Sequence, residues 1–235
     1  MRNVARQQTL DFRRHGGKRK RAGRKAAGPR PSEPHRVRKP VDPRHPLHVT
    51  IRACPGLRLR RRDGWRAVRG ALVRAAGRSD FRICHVSIQA THIHLIVEAD
   101  STLALARGMQ GFQISCARRY NAHQRRKGQV FADRYHPVPL SSLKQVHHAL
   151  GYVLNNWRRH GEHVHTRDTF DPFASARAFD GWAGHPYRGN LAFLPVVLPT
   201  TWHLTHGWRR YGTVSPWARP GPAPGTPVDS PDRRG

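Results

Sequence analysis

The run HIHLIVEA, residues 92–99, reads as a β-strand with two unlike faces. Successive side chains of a strand point to opposite sides, so Ile93, Leu95 and Val97 share one face while His92 and His94 share the other. The apolar face calls for helices packed upon it. The histidine face has no such simple reading and asks for a chemical one. Just before it, FRICHVSIQ reads as a second strand, joined to the first by a tight connection around Ala90 and Thr91.

The flanking sequence supplies the rest of a small domain. LHVTIRA reads as a strand, and DGWRAVRGALVRAAGR as a helix with Trp65, Val68, Leu72 and Val73 near helical spacing and Gly77 at its end. STLALARGMQGFQISCARRYNAHQRR predicts a long helix with a Ser or Thr cap and a core stripe of Leu105, Met109, Phe112 and Cys116, continued by Tyr120. GQVFADRYHPVPL is extended, and SLKQVHHALGYVLNNWRRHG is another strong helix that ends at Gly161. The order β-α-β-β-α-β-α gives an α+β fold, an antiparallel sheet with helices on one face.

Charge decides the class of partner. Lys and Arg number 43 against 14 Asp and Glu, a formal charge of +29. Such an excess points to a polyanion, and its arginine richness suits phosphate. Residues 13–45 are Arg, Lys, Pro and Gly with almost nothing apolar, so residues 1–45 are expected to form a disordered basic arm. A folded domain is expected over residues 46–165 and an aromatic-rich extension over 166–214. From Ser215 the turn to Pro, Gly and Asp-Arg predicts a disordered tail, 215–235. There are no internal repeats.

No apolar run reaches the roughly 20 residues of a spanning helix, and the charged N-terminus has no apolar core behind it, so neither a membrane protein nor a secretory signal is expected. Cys54, Cys84 and Cys116 lie far apart, which argues against a zinc ribbon and fits free thiols in a reducing cytosol.

On the helix that ends at Gly161, Val146, Leu150, Val153, Leu154 and Trp157 fall in one sector and form the buried stripe. Tyr152 and Asn156, four residues apart, adjoin on its flank and point the same way. A phenol, an amide and the His92–His94 pair therefore come together if this helix packs beside that strand. Tyr120 belongs to the core stripe of its own helix, and Tyr135 in DRYH is expected to pack or to touch DNA. Arg118, Arg119, Arg125, Arg126 and Lys127 form a basic cluster suited to tracking a phosphate backbone. His148, one turn before Tyr152, is placed to assist proton transfer.

THIHLIVEA, then ARRYNAHQRRKGQVFADRYH, then YVLNNWRRHG resemble the single-tyrosine HUH transposases, in particular the REP-associated tyrosine transposases and the insertion-sequence transposases that act on single-stranded DNA. The resemblance spans roughly residues 45–182. It implies a ferredoxin-like HUH endonuclease core, with His92 and His94 as metal ligands, Tyr152 as nucleophile and Asn156 as third ligand. It departs from the family pattern at Thr91, where Asn is usual, and at Trp157, where Pro is usual. The implied cofactor is Mg²⁺ or Mn²⁺, with two imidazoles favouring Mn²⁺. A phenol, whose pKa is about 10, is a poor nucleophile unless its target is charge-neutralised and oriented. The implied reaction is cleavage and rejoining of DNA through a covalent 5′-phosphotyrosine, which leaves a free 3′ hydroxyl and needs no ATP.

The implied partner is single-stranded DNA, including hairpins, with a homodimer as one assembly. The implied location is a bacterial-type cytoplasm, with the protein on the nucleoid when bound to DNA. A non-catalytic or domesticated basic nucleic-acid binder is the alternative, but simple binding does not require the two-histidine strand and the Tyr-Asn helix. A zinc-dependent hydrolase lacks a further His, Asp or Glu cluster at metal spacing.

Overall fold

A computed structural model describes residues 40–184 and 194–221. Most of the expected basic arm and the end of the expected tail lie outside these residues. The elements are β1 (Leu47–Arg52), α1 (Arg62–Ala75), β2 (Phe81–Ile88), β3 (His92–Ala99), α2 (Thr102–His123), β4 (His136–Pro139) and α3 (Leu143–Arg159). Short 3₁₀ turns and a four-residue helix, α4 (Trp202–Thr205), follow.

The four strands form one sheet in the order β2-β3-β1-β4, with every neighbouring pair antiparallel. With α1 and α2 as crossovers this is the expected ferredoxin-like arrangement. The β2–β3 connection is tight, closed by Gln89 N–H donating to the His92 carbonyl at 2.8 Å. Ser101 caps α2 by accepting from Ala104 N–H, and a capping box of Ser142 and Gln145 starts α3. Gly161, at φ 72°, takes the left-handed conformation just after α3, the position where glycine ends helices most readily.

One sheet face follows the sequence reading closely. Val49, Ile51, Val86, Ile88, Ile93, Leu95 and Val97 pack on α1 and α2, which contribute Val68, Leu72, Leu105, Met109, Phe112, Cys116 and Tyr120. Val73, expected on the buried side of α1, is 54% exposed. It sits one residue, or 100°, beyond Leu72, and the stripe is completed instead by Ala67, Ala71 and Ala75.

The expectation of helices on one face holds for α1 and α2 and not for α3. Helix α3 lies on the opposite face, where its Val146, Leu150, Val153 and Leu154 join Cys84 and Ile96 of the sheet. The reason is that the second face offers few apolar groups of its own, and a third helix brings them. A bulge between Ile83 and His85 in β2 accompanies the delivery of Cys84 to that side. The remaining apolar partners of α3 come from the extension: Ala174, Phe179, Trp182, Leu204, Trp208 and Val214. Residues 215–221, assigned to a tail from composition, are bonded to α3 instead, beginning with Asn155 Nδ2 donating to the Ser215 carbonyl at 2.9 Å.

Two buried carboxylates fasten the extension. Glu98 accepts from the backbone and hydroxyl of both Thr200 and Thr201 and from Arg82 Nε. Burial alone would raise its pKa, but these hydrogen bonds outweigh it and the carboxyl stays below its ordinary value. Asp171 forms a bidentate pair with Arg60 at 2.8 and 3.0 Å.

Two glycines of α2 make opposite predictions. A Cβ at Gly108 would run into the Phe81 ring, whereas one at Gly111 meets nothing. Gly108→Ala should destabilise the fold by about 1–3 kcal/mol through overpacking. Gly111→Ala should stabilise it by up to about 1 kcal/mol through helix propensity. Urea denaturation of the two variants beside the parent protein checks both signs.

Candidate functional site

The second sheet face is polar along its central strands. The β1–β3 register sets Thr50 opposite His94, Arg52 opposite His92 and His48 opposite Ile96, so His48, Thr50, Arg52, His92 and His94 all point toward the α3 side. In β4, His136 pairs with Thr50.

Helix α3 brings Tyr152 onto this face. The Tyr152 ring meets the His94 ring edge-on with centroids 5.1 Å apart, and that of His48 at 5.7 Å. Two turns further along, His160, the cap residue of α3, lies with its ring 5.7 Å from that of His92. Asn156 stands between them on the helix, four residues from each, and is wholly buried. The row Tyr152–Asn156–His160 therefore lies over the row His94–His92 of β3. Of the expected group, the structure puts the Tyr152 ring against that of His94, with His92 beside His94 at 4.6 Å between ring centroids and Asn156 one turn along the same helical row as Tyr152.

The hydrogen bonds are distributed unevenly. His94 Nδ1 is 3.1 Å from His48 Nε2 and 3.2 Å from Thr50 Oγ1, while His92 Nδ1 is 3.1 Å from Thr91 Oγ1. His94 Nε2 and both amide atoms of Asn156 are buried with no hydrogen-bond partner among the described residues. Leaving such a group unpaired costs on the order of 1–3 kcal/mol. A fold that orients one nitrogen of His94 and leaves the other bare, beneath a helix whose Asn156 amide is also unpaired among the described residues, has donor atoms to offer a ligand.

The imidazoles are held neutral. Burial pushes His48 and His92 down to about 4, helped by His136 and His92 around the first and by His160 and Arg52 around the second. Burial sends His94 well below the ordinary histidine value, with His48, His92 and His160 adding to the effect. Neutral imidazole is the form that binds a metal. Among the described residues no three His, Cys, Asp or Glu side chains are grouped to hold an ion. A complete set here therefore depends on the Asn156 amide as well as His92 and His94. To such a set His94 and Asn156 offer donor atoms unspent among the described residues, and His92 offers a neutral imidazole.

His48, Thr50 and His160 were missed by the sequence reading. The signal for the first two was available: LHVTIR alternates as HIHLIVEA does, and its polar positions fall on the same side. His160 carried only its spacing of eight residues from Tyr152.

The basic cluster does not join this site. Arg118, Arg119, Arg125, Arg126 and Lys127 lie on α2 and the loop after it, and α2 packs on the opposite sheet face. Arg126 spends its guanidinium on Asn121 Oδ1 and the Gln129 carbonyl, and Arg119 approaches Ser115 Oγ at 3.4 Å. Tyr120 is core, as expected, and Tyr135 is buried with it. His148 is exposed one turn before Tyr152.

Buried neutral histidines make an acid-sensitive fold. His85, outside the site between Ser175 and Phe179, is pushed by burial to about 4, as are His48 and His92. In the unfolded chain each titrates near 6.5, so from pH 6.5 down to 4 the unfolded state binds protons that the native state refuses. Stability is full above pH 6.5 and should fall with acid, by on the order of 1 kcal/mol per pH unit for each such histidine. Thermal melts at pH 7 and pH 5 should show a clear drop in midpoint. His85→Gln should show a smaller drop than the parent, and an equal drop would refute the assignment.

A sequence profile of the family described as IS200-like transposases matches residues 59–156. That span includes His92, His94, Tyr152 and Asn156, whereas β1 with His48 precedes it. Among solved structures, the chain is similar to one described as a REP-associated tyrosine transposase bound to a REP hairpin, at 13% identity and a TM-score of 0.49. The alignment covers 61% of this chain and 82% of that one. No curated protein sequence matches the chain. Among the described residues no helix is long and apolar enough to cross a membrane.

Proposed function

Because residues 59–156 carry a domain of the IS200-like transposase family, we propose that this chain cleaves and rejoins single-stranded DNA through a covalent bond between Tyr152 and a 5′ phosphate. The observation that carries the reading is the placement of the Tyr152 ring against His94, together with buried donor atoms of His94 and Asn156 that no described residue uses.

In the proposed reaction the Tyr152 oxygen attacks the scissile phosphorus, the phenol gives up its proton, and the bond to the 3′ oxygen breaks. The departing oxygen takes a proton and becomes a free 3′ hydroxyl. The phosphotyrosine keeps the bond energy, so attack by another 3′ hydroxyl reverses the chemistry and joins strands. His92, His94 and Asn156 would hold Mg²⁺ or Mn²⁺, and the ion would neutralise and orient the phosphate. Burial of the Tyr152 ring against His48 and His94 fixes the direction of its oxygen, leaving little conformational entropy to lose at the moment of attack. His148, exposed on the preceding turn, is the nearest titratable group on the same helical row to relay the proton.

The domain division follows: a catalytic domain built on residues 46–165, with the 166–214 extension closing its second core. The α2 cluster, Arg118, Arg119, Arg125, Arg126 and Lys127, would hold the phosphate backbone away from the scissile bond, with hairpin DNA as the natural substrate for two separated contacts. His92, His94, Tyr152 and Asn156 all lie in one chain, so a homodimer would bring two strands together rather than build the site.

Tyr152→Phe removes only the phenol oxygen. It should abolish the covalent adduct on a denaturing gel with labelled single strands and Mn²⁺, while strand binding stays within about twofold. His94→Ala should lose cleavage and also weaken Mn²⁺ binding, read by titration calorimetry, by at least tenfold. Full cleavage in EDTA would exclude the metal.

A further inference from the structure

Strand β2 brings a further polar row to the face that carries the histidines. Ser87 pairs with His94 across the sheet, and Gln89 N–H donates to the His92 carbonyl at 2.8 Å, so Gln89 stands directly opposite His92. Ile88, between them, packs in the apolar core on the other face. Alternation therefore turns Ser87 and Gln89 toward α3, and the 2.7 Å bond from Gln89 Nε2 to Ser87 Oγ puts both on one side. Both are buried, Gln89 at 1% exposure. On this face β3 is thus flanked by Thr50 and Arg52 of β1 and by Ser87 and Gln89 of β2.

One atom of Gln89 has no structural use. Its amide nitrogen is fastened to Ser87, while Oε1 is buried with no hydrogen-bond partner among the described residues. Only one other buried side-chain oxygen among those residues shares that condition, Asn156 Oδ1. The two oxygens belong to one face, where Gln89 rises from β2 and Asn156 comes from the helix above. The histidines are treated in the same way. His94 has Nδ1 engaged by His48 and Thr50 and Nε2 bare, and His92 has Nδ1 engaged by Thr91. A buried carbonyl oxygen without a partner is costly, so the position calls for an occupant. Residues directly opposite on adjacent strands hold their Cβ atoms about 4.5–5.5 Å apart, which brings the Gln89 amide within reach of the His92 imidazole. Bonded to Ser87, that amide lies between the level of His92 and that of His94.

An amide oxygen is a hard, neutral donor that suits Mg²⁺ or Mn²⁺. We propose that Gln89 Oε1 is a further protein ligand of the divalent cation held by His92, His94 and Asn156. The proposal rests on the reading of those three as a metal site, and it adds a donor from β2, outside the two-histidine strand and the tyrosine helix. Two imidazoles and two amide oxygens leave an octahedral ion open positions for phosphate oxygens. Because all four donors are neutral, the ion keeps its full charge to set against the phosphate. Bound metal also removes the cost of both unpartnered oxygens at once.

The test uses the full chain and MnCl₂ without DNA, read by titration calorimetry. His94→Ala identifies the site, since the binding event of interest is the one it weakens. Gln89→Leu, similar in size and without the oxygen, should weaken that event by about 10-fold or more, the loss that follows removal of even a supporting group around a metal. Gln89→Glu keeps the shape and charges the oxygen, so it should bind Mn²⁺ more tightly than the parent. Without metal, Gln89→Leu should melt no lower than the parent, because the side chain it removes carries an unpartnered oxygen. Adding Mn²⁺ should raise the midpoint of the parent by more than that of Gln89→Leu. Parental Mn²⁺ affinity in Gln89→Leu overturns the proposal, and the reading of His92, His94 and Asn156 survives it if His94→Ala has weakened the event. Where Gln89→Leu lowers the metal-free midpoint, Gln89→Glu decides. Affinity at or below that of the parent then marks a structural role and overturns the proposal. If the parent shows no event that His94→Ala weakens, the metal reading itself fails, and this ligand with it.

Discussion

The structure turns on a sheet with one greasy and one histidine-bearing face, and on the decision to bury both. The first face is a routine problem, solved by α1 and α2. The second is costly, because His48, His94 and Asn156 must leave water with donor atoms still unspent. The His48–His94 contact reduces that cost by pairing the two imidazoles with each other, and Thr50 also meets His94, so among the described residues one nitrogen of each ring remains bare. That same contact fixes the orientation of the bare His94 nitrogen. Stability and site geometry therefore depend on one interaction, and it joins a strand inside the family-matched span to one that precedes it.

Much of this was legible from period alone. Alternation in HIHLIVEA separated the histidines from the core residues, and helical spacing separated Tyr152 and Asn156 from the stripe of α3. Those two readings bring the four groups together only if α3 sits on the histidine side. The general expectation of helices on one face conflicted with them, and the structure sides with the particular residues. Alternation in LHVTIR carried the same information for His48 and Thr50, but a lone histidine in a strand has no partner until register is known. Register is set by pairing across the sheet, which no single segment encodes.

The limits of composition were of another kind. Residues 215–221 look like a tail because Pro, Gly and Arg cannot build a core, yet they are held by their backbone carbonyls, which every residue has. Likewise Arg118, Arg119, Arg125, Arg126 and Lys127 read as a cluster in the sequence, which does not say on which side of the sheet they lie. A helix crossing from β3 to β4 has two faces of the sheet to choose between, and the apolar stripe of Leu105, Met109 and Phe112 sends it to the face away from Tyr152.

The C-terminal extension follows from the same constraint. Helix α3 has a full apolar stripe, but the sheet face beneath it offers mainly Cys84 and Ile96 among polar groups. A helix so placed would be poorly seated on the sheet alone. Phe179, Trp182, Leu204, Trp208 and Val214 supply the missing apolar contacts. The extension is fastened in turn through Glu98, on the same strand face as His92 and His94, where Thr200 and Thr201 compensate a buried carboxylate. The chain beyond the matched domain is thus the second half of the core that aims Tyr152. A domain cut at Asn156 would keep the chemical groups yet lose the packing that sets their angle.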